Sequence, residues 1–192
     1  MYNLYKPLDR LAPTVLATLA RFTFAAVLLG YFWKSGLTKV GDGFFGIFSP
    51  SLGAYAQIFP KAMEAVGYNA SELGVFHWAV VVAGTAAEFI LPVLLLIGLL
   101  TRPAALGMIG FIIVQSLTDL YGHGGIAHAA TLGAWFDATS DGVILDQRAF
   151  WVLGLLVTVF HGAGPLSVDR IATRLVPQLA PRGSTPDTTA RP

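Results

Sequence analysis

Residues 74–121, GVFHWAVVVAGTAAEFILPVLLLIGLLTRPAALGMIGFIIVQSLTDLY, decide the fold: two long apolar runs are divided by Thr101-Arg102-Pro103. The first run, 74–100, is interrupted only by His77, Glu88 and Pro92. At about 1.5 Å of rise per residue it is long enough to cross a bilayer as a helix. The second run, 104–121, is also apolar enough to span. A three-residue connection forces the two helices to lie side by side and antiparallel.

Working outward, a third apolar stretch covers 11–33 and a fourth, shorter one covers 148–162, ending at Gly162-Ala163-Gly164-Pro165. Lys6 and Arg10 precede the first stretch like the basic region of a signal peptide. Arg21 interrupts the run and no clean small-residue cleavage site follows, so it reads as an uncleaved span. The predicted class is all-α, an integral membrane four-helix bundle. Its transmembrane domain covers 1–176, with spans at 11–33, 74–100, 104–121 and 148–162.

Composition agrees. Of 192 residues, 55% are hydrophobic and 12% charged, and the mean hydropathy is +0.66; an ordinary water-soluble domain has neither property. Twelve basic residues balance 11 acidic ones, so no global basic field exists to hold nucleic acid. With no cysteine, the chain carries no disulfide, thiolate metal ligand or thiol redox centre of its own. Walker loops, Gly-x-Gly-x-x-Gly and Gly-x-Ser-x-Gly motifs are all missing from the sequence.

The connection 34–73 is too apolar for a plain loop, with Phe44, Phe45, Ile47, Phe48, Tyr55, Ile58 and Phe59 in it, and too rich in glycine and proline for a span. It predicts short interfacial helices in the first outer loop. The glycine-rich segment 122–147 is expected to fold over the bundle mouth. Ser167 reads as an N-cap with Asp169 in the first turn, and Val168, Ile171, Ala172, Leu175 and Val176 share a face opposite Arg170 and Arg174. That pattern predicts an amphipathic C-terminal helix on the membrane surface. Residues 177–192, with their prolines, serine and threonines, read as a disordered cytoplasmic tail.

Orientation follows from Lys and Arg. With the N-terminus inside, Lys6, Arg10, Arg102, Arg170, Arg174, Arg182 and Arg191 are cytoplasmic, against Lys34, Lys39, Lys61 and Arg148 outside. The excess predicts a multi-pass protein of a cytoplasmic (inner) membrane with both termini in the cytoplasm.

Three polar residues, Arg21, Glu88 and Gln115, each fall about 10 to 12 residues from the cytoplasmic end of their spans, which places them at one depth. A lone charge at mid-membrane is costly, so Arg21 and Glu88 are expected to pair there, with Gln115 offering both donor and acceptor. The group reads either as a polar ligand pocket or as a buried ion pair fixing helix register. Asp119 lies one turn beyond Gln115. Near the same outer face are His77, His123 and His128, residue types that suit copper, zinc or iron, although their spacing fixes no coordination geometry. His161 is expected at the opposite end.

These elements resemble the DoxX family of small four-span bacterial membrane proteins. The resemblance rests on Arg21 followed by Phe32-Trp33-Lys34-Ser35-Gly36-Leu37-Thr38-Lys39, and on Glu88 followed by Leu96-Ile97-Gly98-Leu99-Leu100-Thr101-Arg102. It extends to Asp146-Gln147-Arg148-Ala149 and to Gly162-Ala163-Gly164-Pro165-Leu166-Ser167-Val168-Asp169. The resemblance implies a four-helix membrane bundle with varied roles: quinone-linked thiosulfate oxidation, oxidative stress, metal stress or copper-binding peptide maturation. The leading expectation is an accessory subunit of a redox or stress-related system, with Arg21, Glu88, Gln115 and Asp119 forming a pocket for a quinone-like molecule. The alternatives are a copper-homeostasis or peptide-maturation partner using His77, His123 and His128, and a non-catalytic membrane scaffold. Expected partners are membrane lipids and a membrane or periplasmic protein.

Overall fold

A computed structural model describes residues 5–175; the expected tail at 177–192 lies outside them. Four helices have the length and composition to cross a membrane: Lys6–Leu37, Val75–Ile97, Thr101–Gly122 and Val143–His161. We call Lys6–Leu37 α1. The connection after it folds into two short helices, α2 (Leu52–Ile58) and α3 (Pro60–Ala65). Val75–Ile97 is α4 and Thr101–Leu117 is α5, which continues as a π-helical turn over Thr118–Gly122. A single turn, α6, covers Ala129–Leu132. A second π-helical stretch, Val143–Arg148, leads into α7 (Ala149–His161), and α8 is Val168–Leu175. The architecture is the all-α four-helix bundle read from the sequence.

α1 and α5 each pack on both α4 and α7, closing a ring in which neighbouring helices run antiparallel. One end carries the α4–α5 connection and is called the turn end; the other carries both long connections and is called the loop end. Phe32, Leu95, Met108, Ile112 and Leu155 fill the centre. Phe32 is wholly enclosed, its ring edge-on to Tyr31, Phe111 and Trp151. Lipid is as apolar as this core, so burying these side chains supplies little drive; close contact and buried polar links must hold the helices together. Outward positions such as Phe22, Val27, Ile90, Ile113, Phe150 and Phe160 are exposed, as a lipid-facing surface requires.

Helix α1 begins earlier than the apolar run suggested and is shifted toward the turn end. Its C-terminus comes level with Glu88, while α4 extends 13 residues further toward the loop end, to Val75, about 20 Å. The resulting recess is filled by the first connection: Ala54, Tyr55 and Met63 of α2 and α3 pack on Val81 of α4. Ser51 caps α2, its hydroxyl accepting from the Ala54 N–H at 3.2 Å.

The turn end is locked by two charges. Gly98, at φ +69°, ends α4, and the Gly98 and Leu99 N–H groups both return to the Leu94 carbonyl. The Arg21 guanidinium, buried at 4% exposure, takes the carbonyls of Leu95 and Leu96, and also those of Ala163 and Leu166. Asp169 of α8 accepts from the Leu100 N–H at 2.8 Å and the Thr101 N–H at 2.9 Å. A cation thus closes the C-terminus of α4 and an anion the N-terminus of α5, each matching the helix dipole it meets. Ser167 does cap α8 as expected, accepting from the Arg170 N–H at 3.2 Å.

Candidate functional site

A cavity of about 460 Å³ lies between α4 and α5 toward the loop end. Small residues give it room: Ala83, Gly84 and Ala87 on α4 and Gly107 and Gly110 on α5 line it beside the larger Val80, Phe111 and Val114. The end of α1 contributes Ser35 and the turn after it Lys39, α2 contributes Gln57 and Ile58, and Glu88, Gln115, Thr118, Asp119 and His123 complete the polar lining.

The expected meeting of Arg21 with Glu88 does not occur. Because α1 is displaced along its axis, Arg21 reaches the last turn of α4 and acts as a structural clamp on carbonyls. Lys39 arrives at the depth of Glu88 in its place. Its ammonium lies 3.1 Å from both carboxylate oxygens and also donates to the Ser35 hydroxyl at 2.7 Å and carbonyl at 3.2 Å. The Ser35 hydroxyl donates to Glu88 Oε1 at 3.0 Å. Both charged side chains are buried. Such a pair holds only when its hydrogen bonds are complete, and Ser35 completes this one. One turn onward, Pro92 has no N–H to offer the Glu88 carbonyl, so the backbone ladder is interrupted at the buried acid.

Gln115 donates from Nε2 to the Tyr31 hydroxyl at 3.1 Å, while its Oε1 is buried without a partner. Leaving a polar atom in that state costs roughly 1–3 kcal/mol, so a ligand that satisfies it recovers that cost. Asp119 also lines the cavity, but its Oδ2 is bound to Arg148 at 2.6 Å, and Arg148 Nη1 donates to the Ser116 hydroxyl at 2.9 Å. Asp119 and Arg148 sit in the two π-helical segments, which set the loop ends of α5 and α7 against each other.

The three histidines are not brought together. His123 faces the Gln57 carbonyl through Nε2 at 2.9 Å; His77 packs edge-on to Phe59, ring centres 4.7 Å apart; His128 is exposed. Among the described residues no group of three His, Asp or Glu side chains is placed to hold a metal ion.

Of the residues singled out in the sequence, Glu88, Gln115 and Asp119 of the expected pocket and His123 of the expected metal group line one cavity, Arg21 does not, and Lys39 and Arg148 were not singled out. The signal for Lys39 was its position four residues beyond Ser35, which puts both on one helical face if α1 runs that far.

The DoxX family model matches residues 16–118, more than half of the chain. No curated protein matches the chain, and neither does any solved structure.

Proposed function

The chain belongs to the DoxX family of membrane proteins, and from that premise we propose that it is an accessory subunit of a redox or stress-related system whose cavity holds the ring of a quinone-like molecule. The observation that carries this reading is the Gln115 amide: one side is tied to Tyr31, and the other is buried at the cavity with nothing to bind. A primary amide accepts through its oxygen and donates through its nitrogen. In the orientation described it accepts from the hydroxyl of a reduced ring; turned over, it donates to the carbonyl of an oxidised one. The apolar helix faces around it suit a flat ring, and the Lys39–Glu88 pair provides a polar wall.

The excess of Lys and Arg on the turn-end segments supports a cytoplasmic location for that end and for both termini, in a bacterial inner membrane. The chain's part is to hold and orient the ring; electron transfer belongs to a partner subunit.

The test is quinone content after extraction from detergent-purified protein, and its recovery on adding a short-chain ubiquinone analogue. Wild type is expected to retain quinone, and Gln115→Leu to lose at least fivefold in occupancy. Equal retention by Gln115→Leu, or none by a folded wild type, overturns the proposal.

A further inference from the structure

At the turn end, α1 runs past the α4–α5 connection and its early residues lie alongside α8. A groove of about 520 Å³ is lined by Pro13 and Thr14 of α1, Arg102 of α5, His161 of α7, and Arg170 and Thr173 of α8. Two of these side chains, Arg102 and Arg170, are cationic, and His161 adds an imidazole. His161 presents Nδ1 to the Val157 carbonyl at 3.2 Å, so that nitrogen carries hydrogen and Nε2 is the ring's remaining polar atom. Arg102 makes one long contact, 3.3 Å, from Nη2 to the Phe160 carbonyl. Among the described residues neither Arg102 nor Arg170 is in an ion pair. The carboxylate in the lining, Asp169, has both oxygens committed to the Leu100 and Thr101 N–H groups. The groove therefore offers unanswered positive charge.

Its surroundings are apolar. Leu11, Phe160, Leu166 and Ile171 stand exposed on the adjoining stretches of α1, α7, the α7–α8 connection and α8. Two spans end at Gly98–Thr101, so the groove lies at the level where hydrocarbon gives way to headgroups. A ligand matching both parts has a phosphate anion at one end and acyl chains at the other. We propose that the groove binds the phosphate of an anionic phospholipid, with Arg102 and Arg170 as its principal contacts. The site is separate from the α4–α5 cavity and does not depend on what fills it.

The full chain in detergent, offered equal amounts of phosphatidylglycerol and phosphatidylcholine, is read by native mass spectrometry. Wild type is expected to carry the anionic lipid in severalfold excess, and R102Q and R170Q each to reduce that excess by about fivefold. R102K retains it, and so does R174Q, which alters an α8 charge outside the groove. Equal binding of both lipids by wild type overturns the proposal, as does an R174Q loss matching that of R170Q, since charge anywhere on the surface would then suffice. Inorganic phosphate at millimolar concentration is the arm that separates free anion from lipid. It is expected to leave the lipid in place, and displacement overturns the lipid as the source.

Discussion

Lys39 and Glu88 meet at 3.1 Å inside the bundle, although 49 residues separate them in the chain and Lys39 was expected in the first connection. The pair ties the recessed end of α1 to the middle of α4. It does so where lipid offers no water to either charge if the contact breaks.

Removing one partner is therefore worse than removing both. Lys39→Met is expected to destabilise the bundle by about 3–5 kcal/mol, because Glu88 is left buried and unpaired. The double variant Lys39→Met/Glu88→Leu recovers most of that loss. Thermal melts in detergent decide it, and a double variant as unstable as Lys39→Met alone would refute the account.

At the other end of the bundle, Arg21 spans four carbonyls on two segments, a reach that a planar fork of donors has and a single ammonium lacks. Arg21→Lys is expected to restore little of what Arg21→Ala loses. In both variants, amide hydrogen exchange should rise first around Gly98–Thr101 and Ala163–Leu166 while the loop end stays protected.

Asp169 supplies a pH dependence. Burial acts to raise its carboxyl pKa, but the Thr101 and Leu100 N–H donors and nearby Arg21 outweigh that and hold it below the usual range. A depressed folded value means the stabilisation is fully present above the unfolded carboxyl's value, about 3.9, and is lost as pH falls through the lower folded value. Asp169→Asn is expected to cost about 1 kcal/mol at neutral pH, because one of the two accepting oxygens is replaced by an NH2 group that faces an N–H donor. The gap between wild type and variant should begin to narrow as pH falls below about 3.9 and go on narrowing through the lower folded value. A gap that persists unchanged at pH 3 would show that the charge is not what matters.

Gly98 combines two demands. Its φ of +69° lies in the left-handed region, and an added Cβ would come 2.5 Å from the Ser167 Cβ. Gly98→Ala should lower the melting temperature by more than the roughly 1 kcal/mol that left-handed backbone alone costs. A melt within error of wild type would contradict the close packing described.

Gly110 is the converse case. A Cβ there meets nothing within 4 Å, and the residue lines the cavity. Gly110→Leu is expected to fold with an unchanged or higher melting temperature while quinone retention falls several-fold. Undiminished retention would place the ligand elsewhere.

The spans were legible because apolar length is a one-dimensional property: the hairpin around Thr101-Arg102-Pro103 and the weight of Phe, Leu, Ile and Val carry it without reference to any neighbour. The site was legible only in part. Glu88, Gln115 and Asp119 stood out as polar residues in apolar runs, and they do line one cavity. Their partners did not, since pairing depends on how far α1 slides along α4. Hydropathy is nearly flat to such a slide, as one lipid-facing Leu is as good as another. A shift of a few turns exchanged Arg21 for Lys39 beside Glu88. Asp169 was read correctly as a first-turn acid of α8, yet its partners are two N–H groups of a different helix.

That last contact orders the events of synthesis. Leu100 and Thr101 leave the ribosome 68 residues or more before the carboxylate that satisfies them. The α4–α5 hairpin must therefore enter the bilayer with the N-terminus of α5 still open. It is sealed only after α7 has crossed and α8 has folded back against the turn.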